Sequence, residues 1–407
     1  MSASTAAGQS DATMGTQPLD ARTLWLLGTC AFASMASMRV CDAMIPSFAA
    51  EFSTTAGQAA LAISGFALAY GVLQLCYGPL GDRHGKVRVV GFATLACTIG
   101  SVAAALSPTL DWLVASRILS GIAAAGIIPL TMAWIGDSVP YEGRQEVLAK
   151  LLSATVFGMI CGQWLGGLIA ALVGWRWAFA MLALVFLISG AMLAKRASGL
   201  ASPASGDFGS VGRRALDVLV RPWARTVLLV TCVEGALAFS AIAFIPLHLH
   251  TVFDLAMPTA GAIAALYGVG GLIYSRCARV LLRRFGESGL ANIGGVCAGL
   301  AFATIAFAPS WHLALPACLV AGFGFHALHN TLQANATQMA PAVRGTAVSM
   351  FASVLFLGQS LGVLLAAWVV DRYSSSMAFA FPALGFLLLG AAFASLIRRH
   401  NRPLREV

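Results

Sequence analysis

Twelve apolar runs of about 20 residues each, separated by short polar segments, constrain this chain more than any other feature. A bilayer core about 30 Å thick needs about 20 apolar residues for each helix that crosses it. The sequence therefore predicts transmembrane helices at 24–48, 57–79, 88–107, 110–133, 147–172, 175–194, 224–248, 258–280, 289–308, 312–337, 345–370 and 376–397. With 59% hydrophobic residues and a mean hydropathy of +0.83, the chain is more apolar than soluble proteins of its size.

The basic residues predict the orientation of these spans. If the N-terminus is cytoplasmic, only Arg176 and Arg372 among the 25 Lys and Arg face outside, while Arg39 and Arg117 fall within spans. Cytoplasmic loops are the ones enriched in basic residues, so both termini are predicted to be cytoplasmic. The net charge of +9 is scattered in short clusters without a basic face, so we expect a lipid bilayer as partner and no nucleic acid.

One long connection divides the chain into two halves. Residues 195–222 are rich in Ser, Gly and Arg and are predicted to be a cytoplasmic linker between six-helix bundles at 22–194 and 223–398. Residues 1–21 lack the basic start and apolar core of a signal peptide, so we expect a disordered cytoplasmic tail. Residues 399–407 are predicted to be a cytoplasmic C-terminal tail. The nine cysteines lie in or beside apolar runs and are predicted to be packing residues.

The two halves repeat each other at an offset of about 200 residues. Four segments match in the same order: Pro46 with Pro246, 80–85 with 281–286, Pro140 and Arg144 with Pro341 and Arg344, and 162–166 with 358–362. Four ordered matches indicate duplicated six-helix bundles.

The loop after the second apolar run carries a charged, glycine-containing motif. Residues 78–88 read Gly-Pro-Leu-Gly-Asp-Arg-His-Gly-Lys-Val-Arg. This stretch resembles the loop between spans 2 and 3 of the major facilitator superfamily, G-x-L-[AG]-D-R-x-G-[RK]-[RK]. The alternative interpretation is an ordinary membrane hairpin with basic residues on its cytoplasmic side.

The resemblance implies an all-α polytopic membrane protein, with twelve transmembrane helices in two pseudo-symmetric six-helix bundles and a midplane site between rocking halves. It also implies a cytoplasmic gate that locks the inner side while the outside is open. Its candidate residues are Gly78, Asp82, Arg83, Gly85, Lys86 and, at the inner end of span 4, Asp137. The second half has Arg283 at the position of Asp82, so any lock there is weaker or different.

Two further motifs support the resemblance. Residues 117–121 read Arg-Ile-Leu-Ser-Gly and are similar to the family pattern R-x-x-Q-G, which implies that Arg117 helps proton coupling. The alternative is a structural Arg held by backbone carbonyls, since an intramembrane Arg is costly unless it is paired or hydrated.

Span 5 resembles the antiporter pattern G-x-x-x-G-P-x-x-G-G. The matching positions are Gly158, Gly162, Gly166 and Gly167, with Gln163 in the place of the proline. The pattern is associated with export, although the missing proline puts the family's helix kink in doubt. The alternative is generic close packing of a helix face made of small residues.

Few charged residues fall deep within the spans. Arg39, Asp42 and Arg117 share a depth in spans 1 and 4 and are predicted to form a cluster in the outer half. Glu234 is the preferred proton site, because no fixed cation lies near it in the sequence pattern, and Asp42 is the second candidate. The substrate-cavity candidates are His326, His329, Asn330, Gln333 and Gln74. For each histidine, core packing with a backbone hydrogen bond remains an equal alternative.

The sequence offers no pattern typical of an enzyme or of ATP-driven transport. Residues 268–271 read Gly-Val-Gly-Gly but lie within an apolar span, so they are not a phosphate loop. We therefore expect no catalytic residues, no metal and no cofactor, with a proton gradient as the driving force.

The resemblance covers residues 22–398 and points to the twelve-span drug:proton antiporter branch of the superfamily. It implies a functional monomer in the bacterial inner membrane that exports a small organic solute by proton antiport. Proton-linked uptake of a small metabolite, and a transporter-like sensor without flux, remain the alternatives.

Overall fold

The structure, a computed structural model, describes residues 21–198 and 209–401, which form helices joined by short turns. The α-helices are α1 (Ala21–Arg39), α2 (Ile45–Glu51), α3 (Ala56–Ala59), α4 (Leu61–His84), α5 (Lys86–Ala105), α6 (Leu110–Ala124), α7 (Ile127–Ser138), α8 (Tyr141–Leu172), α9 (Trp175–Ala197), α10 (Gly209–Leu219), α11 (Pro222–Phe253), α12 (Met257–Phe307), α13 (Ala314–Gln338), α14 (Arg344–Arg372) and α15 (Met377–His400). Most of the two predicted tails, residues 1–20 and 402–407, and linker residues 199–208 lie outside the described residues.

The helices match the predicted spans. Ten helical segments in the described ranges are long and apolar enough to cross a membrane. One of them, α12, has 51 residues and breaks at Gly286, where φ is 65°, so it accounts for two spans. The segment formed by α1 and α2 accounts for the remaining one. The predicted fold class, an all-α polytopic membrane protein with the major facilitator fold, is confirmed.

Span 1 is broken, although the sequence analysis predicted a continuous run at 24–48. Helix α1 ends at Arg39, residues 40–44 form turns, and α2 begins at Ile45. Pro46 has no backbone N–H to donate to the preceding turn, which favours a helix that starts anew at this point. The break places Asp42 in a buried turn within the predicted span.

Part of the predicted linker is helical. Helix α10 buries Val218 and packs Ala215 against the core, while Leu216 and Val220 are exposed. Its apolar positions are too few to register as a membrane span, and its flanking Ser and Gly residues favour a loop. The short amphipathic pattern was therefore hidden by the composition of the segment.

Close packing between spans repeats in the two halves. Helix α8 approaches α1 and helix α14 approaches α11, each through small residues that leave room for the backbone of the partner. The opposed pairs are Gly158 with Phe32, Gly162 with Ala36, Gly166 with Val40, Gly358 with Cys232 and Gly362 with Ala236. Since the glycines of the two repeats occupy equivalent positions, the duplicated sequence produces duplicated contacts.

A polar seam joins the halves where α3 and α4 meet α14. The Asp371 carboxylate accepts hydrogen bonds from the Thr55 hydroxyl (2.6 Å) and from the Gly57 N–H (2.9 Å). In the first turn of α4, the Ser64 carbonyl accepts a hydrogen bond from the Ser360 hydroxyl at 3.0 Å.

The last bond of this seam lies near the middle of the bundle, where the Ser353 hydroxyl donates to the Gly71 carbonyl. Beyond it, the spaces beside Gly78 of α4 and Gly345 of α14 are open. We call the end of the molecule that carries Asp371 the far end and the end that carries Lys86 the basic end. Along this seam the halves are in contact at the far end and separate toward the basic end.

A second seam, between α8 and α12, is made by close packing. Its opposed residues are Gly167 with Met257, Gln163 with Gly261, and Ile160 with Gly268. The contacts again begin at the far end, because α12 begins there and α8 ends there. Together the two seams close the far end of the molecule.

Replacing Gly162 by Ala is expected to destabilise the protein, because the new methyl group would collide with the Ala36 backbone. Overpacking of this kind costs about 1–3 kcal/mol. The same substitution at Gly78, where nothing lies within contact, should leave stability unchanged or raised, since Ala favours the helix. Thermal unfolding in detergent measures both, and equal midpoints for the two variants would contradict the packing described.

Replacing Asp371 by Asn is expected to favour opening of the far end, because the hydrogen bonds of the seam lose their charge. Hydrogen bonds to charged groups contribute about 1.5–3 kcal/mol and neutral ones about 0.5–1.5 kcal/mol, so the closed-to-open ratio should fall several-fold. Spin-label distances between the far ends of α6 and α15, in a cysteine-free background, measure the two populations. Asp111→Asn, an exposed carboxylate at the far end of α6, is the control, and an equal effect there would refute a specific seam bond.

Candidate transport site

The break in span 1 holds an ion pair. Arg39 Nη2 lies 2.7 Å from Asp42 Oδ2, and the two residues are only 2% and 0% exposed. The amide of Gln163 donates to the same Asp42 oxygen at 3.1 Å. The residue that replaces the family's proline in α8 is therefore a hydrogen-bond partner of a buried carboxylate, a role that the motif did not indicate.

Arg117 interacts with the same region in a different way. Its Nε donates to the Ala62 carbonyl at 3.3 Å, and its two terminal nitrogens donate to the Ser37 hydroxyl and carbonyl at 3.1 and 2.7 Å. The guanidinium also lies 4.3 Å from the ring centre of Phe66. Of the predicted outer cluster, Arg39 and Asp42 are in contact, whereas Arg117 influences Asp42 only through longer-range electrostatics. Its direct contacts hold α6 against α1 and α4.

The second half contains a buried carboxylate–histidine pair. Glu234 of α11 is 0% exposed, and its Oε2 lies 2.9 Å from Nδ1 of His329 on α13. The sequence pattern had suggested no cation near Glu234, and the structure places an imidazole there, which is a cation only when it is protonated. The other oxygen, Oε1, has no hydrogen-bond partner among the described residues.

The other predicted cavity residues are dispersed. His326 donates from Nδ1 to the Gly322 carbonyl at 2.8 Å, which is the backbone contact left open as its alternative. Asn330 contacts the Tyr274 hydroxyl. Gln333 is exposed, and Gln74 is buried with an unpartnered Oε1. Among the described contacts of the five cavity candidates, only that of His329 is made with Glu234.

A small cavity of about 40 Å³ lies between the halves. Its lining includes Arg39 and Gln163 from the first half and Phe239, Tyr267 and His326 from the second. The sequence analysis missed Phe239 and Tyr267, because single aromatic residues carry no signal in a chain rich in them. The one sequence signal near them is the glycine-rich stretch 268–271 after Tyr267, where other helices pack closely against α12.

The predicted gate residues lie at the basic end of the first half. Lys86 Nζ is 2.6 Å from Asp137 Oδ2 and 3.2 Å from Asp82 Oδ1, so it joins α5 to α7 and α4. Gly85 has a φ of 89°, a conformation that permits the abrupt turn between α4 and α5. Arg83 is exposed. These ion pairs stay within one half.

The described side chains of the site supply hydrogen-bond donors and acceptors. Within residues 21–198 and 209–401, no set of three or more His, Cys, Asp or Glu side chains is arranged to hold a metal ion. What the arrangement can do is bind a polar solute in a water-poor cavity and hold a proton on a buried carboxylate.

Comparison with known proteins agrees with this architecture. The chain is 30% identical over 148 residues, 36% of each chain, to the uncharacterized MFS-type transporter YwfA of Bacillus subtilis. It is 28% identical over 153 residues to the multidrug export protein EmrB of Escherichia coli, a match that covers 38% of this chain and 30% of EmrB. The matched segments thus span about a third of these relatives.

The fold and the family profile extend the comparison to most of the chain. The crystal structure of the nucleoside transporter NupG superposes with a TM-score of 0.75 and 15% identity, covering 92% of this chain and 99% of that one. The profile of the Major Facilitator Superfamily matches residues 27–362. This chain is a member of the Major Facilitator Superfamily of integral membrane transporters.

Proposed function

We propose that this protein exports a small organic solute by alternating access, as a proton-coupled antiporter. The observation that carries the proposal is the Glu234–His329 pair, a buried carboxylate with one unpartnered oxygen in the half that faces Arg39 across the cavity. Membership of a transporter family supports transport rather than catalysis.

Burial and pairing make Glu234 suited to exchange a proton. A carboxylate removed from water tends to hold a proton, whereas a nearby cation favours its charged form. Here both influences act on one group, since Glu234 is fully buried and contacts His329. A conformational change that admits water or alters this contact would shift the balance and release or take up the proton.

Two observations favour export over uptake. The glycines of α8 match the antiporter pattern and pack against α1. One relative, EmrB, is described as a multidrug export protein. Proton-linked uptake and a sensor without flux remain outcomes that the transport experiment distinguishes.

The charge distribution supports a cytoplasmic basic end. We propose that the protein is a monomer in the bacterial inner membrane, with both termini cytoplasmic and the far end facing outside. The cavity then receives solute from the cytoplasm, because the far end is closed by its seams. No cofactor is required, since the proton gradient drives the cycle.

The Glu234→Gln variant is expected to lose proton-driven transport, because the amide cannot exchange a proton. In everted membrane vesicles made acidic inside, the native protein should accumulate labelled organic solutes and the variant should not. An uncoupler should abolish the difference between them.

Glu146→Gln is the matched control, because Glu146 forms only an exposed ion pair with Lys150. It should transport as the native protein does. Full gradient-coupled accumulation by the Glu234 variant would refute the proton assignment. Movement in the reverse direction would indicate uptake, and no flux with any solute would indicate a sensor.

The Asp82→Asn variant is expected to slow the conformational cycle and leave solute affinity nearly unchanged. The loss of one of the two carboxylates that hold Lys86 weakens the contact between α4 and α5 at the basic end. Transport rates in vesicles and binding in detergent measure the two effects separately. A loss of binding by a normally folded variant would contradict a gating role.

A further inference from the structure

The cavity between the halves contains a positive group with spare hydrogen-bonding capacity. Arg39 lines the cavity at 2% exposure, and its Nη1 has no partner among the described residues. Asp42 contacts only the Nη2 side of the guanidinium. A buried donor without a partner is costly, and the planar guanidinium matches the geometry of carboxylates and phosphates.

A second unpartnered donor lines the same cavity. Tyr267 is 4% exposed, and its hydroxyl makes no hydrogen bond within the described chain. This hydroxyl is close enough to both Arg39 and Glu234 to interact electrostatically with each of them.

The negative group also has spare capacity. Glu234 uses Oε2 to contact His329 and leaves Oε1 without a partner, although the residue is completely buried. An ammonium group is the ligand that such an oxygen accepts best, because it supplies both a charge and a donor.

Aromatic side chains connect the two groups. The Arg39 guanidinium lies 5.6 Å from the ring centre of Phe239, which lies 5.6 Å from that of Phe325. Phe325 in turn stacks on His329 at 5.0 Å, beside Glu234. Phe239 and Phe325 give the cavity an apolar wall that fits a flat hydrocarbon body. His329 and Glu234 adjoin this wall next to Phe325 but do not line the cavity itself.

We propose that the solute carried in this cavity is a zwitterionic amphiphile. Its carboxylate binds Arg39 and the Tyr267 hydroxyl, its ammonium binds Glu234, and its aromatic or aliphatic body packs on Phe239 and Phe325. The inference rests on the proposed function, since it specifies the substrate of the same site. It is consistent with antiport, because the ammonium and a proton exclude each other at Glu234.

Three probes with one skeleton test the proposal: 4-(aminomethyl)benzoate, 4-methylbenzoate and 4-methylbenzylamine. They carry both charges, only the negative one, and only the positive one. Calorimetric titration of the full-length protein in detergent is expected to give at least tenfold tighter binding of the zwitterion than of either singly charged probe. Equal affinity for one of the singly charged probes, or no binding of any probe, would overturn the proposal.

Variants assign each charge to its side chain. Arg39→Gln should lower the affinity for the zwitterion to the affinity that the amine has. Glu234→Gln should lower the affinity for the zwitterion to the affinity that the benzoate has. Tyr267→Phe, which removes one hydroxyl, should weaken the zwitterion and the benzoate several-fold and leave the amine unchanged. Equal losses for all three probes in each variant would mean general damage to the cavity and would overturn the assignment.

Folding of each variant is checked by its thermal midpoint, and Arg39→Lys keeps the charge if the Gln variant is unstable. With Lys, the preference for the zwitterion over the amine should persist in weakened form, and its complete loss would count against a charge contact. The titration needs no gradient and no flux. Zwitterion binding without proton-coupled transport would therefore refute only the proposed function. Proton-coupled export together with equal affinity for the amine and the zwitterion would refute only this inference.

Discussion

The burial of Arg39 and Asp42 within the first span is the constraint on which the rest of the site depends. Charged groups are costly in the bilayer interior unless they pair, and these two pair across the end of α1. Helix α1 ends at Arg39 and α2 begins at Ile45, just before Pro46. The polar backbone of the intervening turn therefore lies beside the side chains of the ion pair. Gln163 completes the pocket from α8, the helix whose glycines bring it against α1.

The two buried arginines of the first half show how one residue type serves different ends. All three guanidinium nitrogens of Arg117 donate hydrogen bonds to oxygens of Ser37 and Ala62, so its donors are used within the protein. Arg39 makes one charge contact and keeps Nη1 without a partner at the cavity wall. Sequence position alone suggested the same role for both. The distribution of their donors separates a residue that fastens helices from one that is available to a ligand.

The sequence predicted the twelve spans and the repeat because both depend on local hydrophobicity and on glycine spacing. Both signals can be read within a short stretch of consecutive residues. It also grouped Lys86 with Asp137 as gate candidates, because both were predicted to lie at the inner side of the membrane. It did not predict the break after Arg39, because the segment is apolar enough to be continuous. Contacts such as that of Asp371 with Thr55 join distant residues of ordinary type, and no local pattern marks them.

The two seams between the halves differ in chemistry, and this difference has a mechanical consequence. Separation of α4 from α14 must break directional hydrogen bonds at Asp371, Ser360 and Ser353. Such bonds weaken steeply with distance and angle, so they hold the helices only while the donor and acceptor stay in place. In the seam of α8 with α12, a glycine on one helix packs against the other helix at each contact, so the two surfaces can rotate on each other while they stay in contact. The far end should therefore open asymmetrically, with α8 and α12 acting as the hinge line and α4 and α14 as the edge that swings apart.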